Sequence, residues 1–151
     1  MEKPTPKWVI VLIFLVLAGA ASAAYYFWSR DQQAAQMAVD GVLQPYLALV
    51  REKKYSAAYD LISNDLQGQY SLTAFAAAHQ EHTQQNGDLN EWEITKLEVL
   101  HEPKHSYARI RCRLQFALTG RNVSYDLSLA PTERINAMYL HLGSDLKHAI
   151  W

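Results

Sequence analysis

One cysteine, Cys112, is all that the 151 residues contain. An internal disulfide is therefore impossible, and no thiolate metal cluster can form within one chain. Excess charge is equally scarce, with 14 Lys and Arg against 15 Asp and Glu and a formal net charge of −1. Setting aside Glu2, Lys3, Lys7 and Arg30 leaves about −3 on the rest. A net acidic chain without a basic run is a poor nucleic-acid binder, so no nucleic acid is expected as partner. There is no internal repeat, low-complexity segment, nucleophile motif, metal signature or phosphate loop, so neither metal nor cofactor is expected.

What the chain does have is the stretch Trp8 to Trp28, WVIVLIFLVLAGAASAAYYFW, 21 residues without a charge. As a helix it is about 31 Å long, the thickness of a bilayer's hydrocarbon core. Two readings fit it. The first 24 residues have the form of a cleaved leader: a basic start, an apolar core from Trp8 to Leu17, and Ala21-Ser22-Ala23 before a cut at Ala24. An uncleaved anchor is favoured because apolarity continues through Ala24-Tyr25-Tyr26-Phe27-Trp28, with aromatics at both ends of the span. Lys3 and Lys7 precede the span while Asp31 offsets Arg30 after it, which places residues 1–7 in the cytoplasm, 8–28 in the membrane and 31–151 outside, in a periplasm. Gly19 with Ala23, and Ala20 with Ala24, are small residues four apart. They would let a partner helix approach closely in lipid, although small residues are also ordinary in membrane spans.

Residues 31–151 suffice for one domain. Ala34, Ala35, Ala38, Val42, Tyr46, Leu49 and Val50 recur at helical steps, and Gly41 and Pro45 predict a kink near Gly41. A short second helix is predicted from Ser56 to Ser63, ending before Gly68, and a third from Ser71 to the stop at Asn86-Gly87-Asp88. The period then changes to two. Trp92, Ile94, Leu97 and Val99 can share a face only with a bulge near Thr95-Lys96. In the next strand Ala108, Ile110, Cys112, Leu114, Phe116 and Leu118 face inward, with Tyr107, Arg109, Arg111, Arg113 and Gln115 outward. A hairpin turn at Thr119-Gly120-Arg121-Asn122, with Gly120 at positive φ, would set Phe116 opposite Tyr125 and Arg113 diagonal to Asp126. Pro131 ends that strand, Ile135 to Leu142 forms the last one, and a turn at Gly143-Ser144-Asp145 leads into a tail, Leu146 to Trp151. Helices followed by an antiparallel meander make an α+β fold in which the helices cover one face of a curved sheet.

Lys54-Tyr55-Ser56-Ala57-Ala58-Tyr59-Asp60-Leu61-Ile62-Ser63, followed by Ser71 and Phe75, resembles a passage common in the superfamily of nuclear transport factor 2. That resemblance implies a cystatin-like α+β cone over roughly residues 33 to 142, with the residue-level match confined to the passage quoted. The superfamily includes isomerases, dehydratases and polyketide cyclases alongside binding and assembly modules, some membrane-anchored. The Trp-Lys-Ile type of final strand found in many members is not evident in this chain.

Several side chains could carry chemistry. His79 and His82, three apart in a helix, could share a metal with Glu81, His101 or Glu102, but nothing brings four ligands together, and a helix end explains them. His101 and His105 flank a turn with Glu102 and Lys104. Asp40, Tyr46, Tyr59, Asp60, Trp92 and Tyr125 could meet inside a cone, where a carboxylate beside a tyrosine would act as acid or base; core tyrosines with hydroxyls at the rim explain them equally. The row Arg109, Arg111, Arg113 reads either as a solvated strand face neutralised by Glu93, Glu98 and Asp126 or as a docking surface. Asn122-Val123-Ser124 matches a glycosylation sequon, a pattern that three residues often meet by chance.

The sequence therefore leads to the expectation of a non-enzymatic, single-pass accessory or assembly module of a cell-envelope complex. It would bind a membrane-protein partner through Arg109, Arg111, Arg113, Gly19 and Ala23. The alternative is a small periplasmic enzyme or ligand carrier using the cone interior, with Asp40, Tyr59 and Asp60 as its catalytic residues. A dry, filled interior favours the first and an open pocket lined by Asp40, Tyr59 or Asp60 favours the second. The oligomeric state is left open.

Overall fold

A computed structural model of the chain describes residues 7–129, 134–142 and 145–148. It divides into two units, residues 1–33 and 34–151. The described residues of the first belong to helix α1 (Lys7–Ala38), the one helix among the described residues long and apolar enough to cross a membrane. Its large apolar side chains from Trp8 to Trp28 are almost all exposed, a surface that water does not tolerate in one contiguous patch. The Ser22 hydroxyl donates to the Ala18 carbonyl at 2.8 Å, so the helix itself satisfies it.

The second unit is α+β. Its helical layer begins with the end of α1 and continues through a π-helical turn (Val39–Leu43) into α2 (Gln44–Arg51), α3 (Tyr55–Tyr59), α4 (Asn64–Gln69) and α5 (Leu72–Asn86). A five-stranded antiparallel meander follows, β1 (Leu89–His101), β2 (Ser106–Phe116), β3 (Gly120–Ser128), β4 (Ile135–Leu142) and β5 (Asp145–His148), in spatial order of sequence.

The irregularity expected near Gly41 is present, in the form of a widened turn. Pro45 has no N–H to offer the Gly41 carbonyl and its ring would crowd that carbonyl. The chain inserts one residue instead, and the Gln44 N–H reaches back to the Val39 carbonyl. A consequence is the buried face itself. A four-residue step overshoots an α-helical turn, and the wide turn takes up the excess. Ala35, Val39, Leu43 and Leu47 therefore stay on one side with Ala38, Val42 and Tyr46, while Leu49 and Val50 lie only at its margin.

Three expectations about local structure are corrected. The helix predicted from Ser56 to Ser63 is split into α3 and α4, and Ser56 lies inside α3, whose N-cap position is Lys54. The break occurs because Ile62 bridges to Ile135: the Ser63 N–H donates to the Ile135 carbonyl at 2.8 Å and the Ile135 N–H to the Leu61 carbonyl at 3.1 Å. Ser63 then caps α4, accepting from the Leu66 N–H, and Gly68 lies inside that helix. Ser71 caps α5 as expected, accepting from the Ala74 N–H at 3.2 Å. The terminal tail contains a strand, β5; Pro131, Gly143, Ser144 and Trp151 lie outside the described residues.

The hairpin between β2 and β3 is the third. Its tip is Ala117-Leu118, Gly120 already belongs to β3 opposite Gln115, and Leu118 is 74% exposed. Neither tip residue is a turn former, and tertiary bonds explain the choice: the Ala117 N–H donates to the Asp88 carbonyl and the Leu118 N–H to the Asn86 carbonyl, both at 2.9 Å. That close approach is possible because residue 87 is glycine, at φ 84°, where a Cβ would lie 2.7 Å from Ala117 Cβ. Tyr125 consequently faces Ile110 instead of Phe116. The slip is an even number of residues, so every inward side chain stays inward. Ala108, Ile110, Cys112, Leu114 and Phe116 are buried as expected, and the bulge in β1 falls at Thr95, between the pairs Ile94–Cys112 and Lys96–Arg111.

Candidate functional site

Two polar clusters stand out, one on each face of the sheet. On the helix-covered face, α2 carries Tyr46 and α5 carries His79 into the core. Tyr46 Oη and His79 Nε2 are 3.2 Å apart, and the same hydroxyl donates to Met138 Sδ at 3.4 Å. Stacking closes the shell: Tyr55 lies flat on the His79 ring at 5.3 Å, Phe75 meets it edge-on at 4.5 Å, and Tyr125 meets Tyr46 edge-on at 5.9 Å. Burial, reinforced by the nearby His82, pushes His79 down to about 3, so it is a neutral imidazole in ordinary conditions. Burial and Arg121 hold His82 at about 4. The Tyr46 and Tyr125 hydroxyls and the Cys112 thiol move the other way, Cys112 to about 12, which leaves the thiol protonated and unreactive. The remaining space at this cluster is a cavity of about 20 Å³.

The residues proposed to meet inside a cone do so only in part. Tyr46 and Tyr125 meet. Asp40 is exposed and accepts from Gln36 Nε2 at 3.1 and 3.2 Å on its own helix. The Tyr59 hydroxyl donates to the Tyr70 carbonyl at 2.7 Å, tying α3 to the end of α4. Asp60 is exposed at the end of α3. Trp92 donates its indole N–H to Gln44 Oε1 at 2.9 Å beneath Arg51. None of Asp40, Tyr59 and Asp60 lines the cavity at His79, and Asp60 lines a separate open hollow of about 540 Å³ with Lys53, Lys54, Tyr55, Ser56 and Ala57. Among the described residues, no group of three or more His, Cys, Asp and Glu is arranged to hold a metal ion.

On the opposite face the three arginines have different fates. Arg109 forms a two-pronged pair with Asp126, Nε to Oδ1 and Nη2 to Oδ2 both at 2.8 Å, with side chains 29% and 8% exposed. Arg111 is exposed opposite Ser124 and Lys96. Arg113 reaches Glu93 at 3.6 Å, an exposed and loose contact. The residue next to Asp126 is thus Arg109 and not Arg113, which follows directly from the shifted hairpin. Around the pair lies an open hollow of about 200 Å³ walled by Glu102, His105, Tyr107 and Asn136. In this wall Glu102 meets His105 Nε2 at 3.1 Å, an exposed contact. Burial of the hydroxyl and the Glu102 charge both raise Tyr107.

This hollow was not anticipated, since Glu102 and His105 read as a solvated turn and Asn136 carried no signal. The alternation of β2 and a correct hairpin register would have pointed to it, because together they set Arg109 against Asp126. In the first unit Gly19 has nothing within 4 Å of where a Cβ would be, and Ala23 is exposed on the same helix. No family model, no curated protein and no solved structure matches the chain.

Proposed function

We propose that the chain is a single-pass, membrane-anchored binding module of a cell-envelope complex, with its N-terminus in the cytoplasm and an outward-facing cone domain resembling the nuclear transport factor 2 superfamily. The observation that supports this reading best is the filled interior. A space of about 20 Å³ is far below the roughly 300 Å³ at which small-molecule sites begin, and none of Asp40, Tyr59 and Asp60 lines it. Chemistry on a small substrate has no room there. What the molecule offers to others is surface: the apolar span with its small residues at Gly19 and Ala23, and the exposed Arg111 and Arg113. Two weak contacts carried on one chain act together, because forming the first raises the effective concentration of the second.

The test is co-purification of the full chain in mild detergent, with mass spectrometry of what accompanies it. Arg111→Glu with Arg113→Glu probes attraction to an acidic surface, and Gly19→Leu with Ala23→Leu probes close helix approach. Arg109 is left intact, since reversing it would face Asp126 with a like charge. Each double variant is expected to stay folded and to lose a partner that the wild type retains. Retention of every partner by both overturns the reading.

A further inference from the structure

The small interior cavity has a hydroxyl opening on it. Tyr125 is only 1% exposed and lines the cavity. The Tyr46 hydroxyl beside it is engaged by His79 and Met138, whereas the Tyr125 hydroxyl has no hydrogen-bond partner among the described residues. Every described side-chain nitrogen or oxygen wholly shut off from free space does have a partner. The Tyr125 hydroxyl must therefore reach free space, and for a side chain this deep that space is the cavity. A phenol taken out of water without a replacement bond is costly, and buried hydroxyls almost always find a partner.

We infer that the cavity is a binding site for one water molecule, held by the Tyr125 hydroxyl. Size selects the ligand: a water needs about 10–15 Å³ of such space, and the cavity offers about 20 Å³. Chemistry agrees, because a buried water wants two to four polar partners. The Tyr46 hydroxyl has one proton and two lone pairs. After donating to Met138 or His79 it can still accept from a water that also bonds Tyr125. Leu47, Val50 and Leu89 give the cavity apolar walls, while Arg51, Lys53, Thr83 and Asp88 also line it. Bound there, the water joins β3 to the Tyr46–His79 pair across the middle of the core. This site does not depend on what the surface binds.

Oxygen-17 relaxation dispersion counts long-lived internal waters without a contribution from exchanging hydroxyl protons. Measured on the full chain in detergent, Tyr125→Phe should hold one long-lived water fewer than the wild type. Equal counts overturn the proposal. A high-resolution crystal structure of the wild type tests it without the variant: density within hydrogen-bond distance of Tyr125 Oη supports the site, and a dry cavity overturns it.

Discussion

The two faces of the sheet bury polar groups by opposite means. Inside, Tyr46 and His79 are held as neutral molecules, their charged forms suppressed by burial. Outside, Arg109 and Asp126 face each other as an ion pair with two parallel hydrogen bonds. The inner arrangement stabilises the fold only while the imidazole stays unprotonated, whereas the outer one needs its opposite charges to remain matched. The faces should therefore fail under different perturbations.

The largest effect is expected where the inner face is purely apolar. Leu114→Ala or Phe116→Ala removes a buried side chain from β2 and should cost on the order of 2–5 kcal/mol in denaturant unfolding of the full chain. A loss near zero at Leu114 would mean that the inward alternation of β2 is misassigned.

Acid separates the two faces next. His79 titrates near 6.5 unfolded and about 3 folded, so below pH 6.5 the unfolded chain binds the extra proton. Its stabilisation is complete above pH 6.5 and is lost as pH falls towards 3. By pH 4.5 the loss is on the order of 2–3 kcal/mol, with His82 adding to it in the same direction. His79→Phe should reduce this slope, leaving the share of His82, while Asp126→Asn leaves it in place. Unfolding midpoints between pH 4.5 and 7.5 measure it, and a slope undiminished in His79→Phe would place the acid sensitivity elsewhere.

Removing one member of the outer pair comes third. Asp126→Ala leaves the Arg109 guanidinium with a lost partner, and because about a third of that side chain meets solvent the cost is expected at about 1–3 kcal/mol, below that of a fully buried pair. A double-mutant cycle with Arg109→Ala isolates the coupling. Additive losses would mean that the pair contributes no coupling of its own.

How much of this could be read from the residues follows from where the determining contacts lie. Alternation in β2, the bulge at Thr95 and the cap at Ser71 are local, and each was visible in a few neighbouring residues. The hairpin tip was not, because Ala117 and Leu118 turn on hydrogen bonds to Asn86 and Asp88, some thirty residues away. The split between α3 and α4 depends in the same way on Ile135. Of the candidate site residues, Asp40 and Asp60 drew attention as carboxylates near aromatics in sequence, yet the helix turns both to solvent. Asp126 and Glu102 have pairwise partners that only the strand register could reveal.

The smallest effect is expected at Arg111, and it tests the comparison between faces most finely. Arg109 and Arg111 lie on the same side of the same strand, two residues apart, and composition gives no reason to distinguish them. Register does. Arg109 is set against Asp126 and mostly withdrawn from water, while Arg111 is set against Ser124 and Lys96 and stays exposed. An exposed arginine without a facing carboxylate contributes little, so Arg111→Ala should change stability by no more than about 0.5 kcal/mol. Arg109→Ala should cost more, since it strips a partner from a carboxylate that is 8% exposed. Equal losses at the two positions, read from the same unfolding curves, would mean that β2 and β3 pair in another register, and both the outer hollow and the Arg109–Asp126 pair would have to be given up.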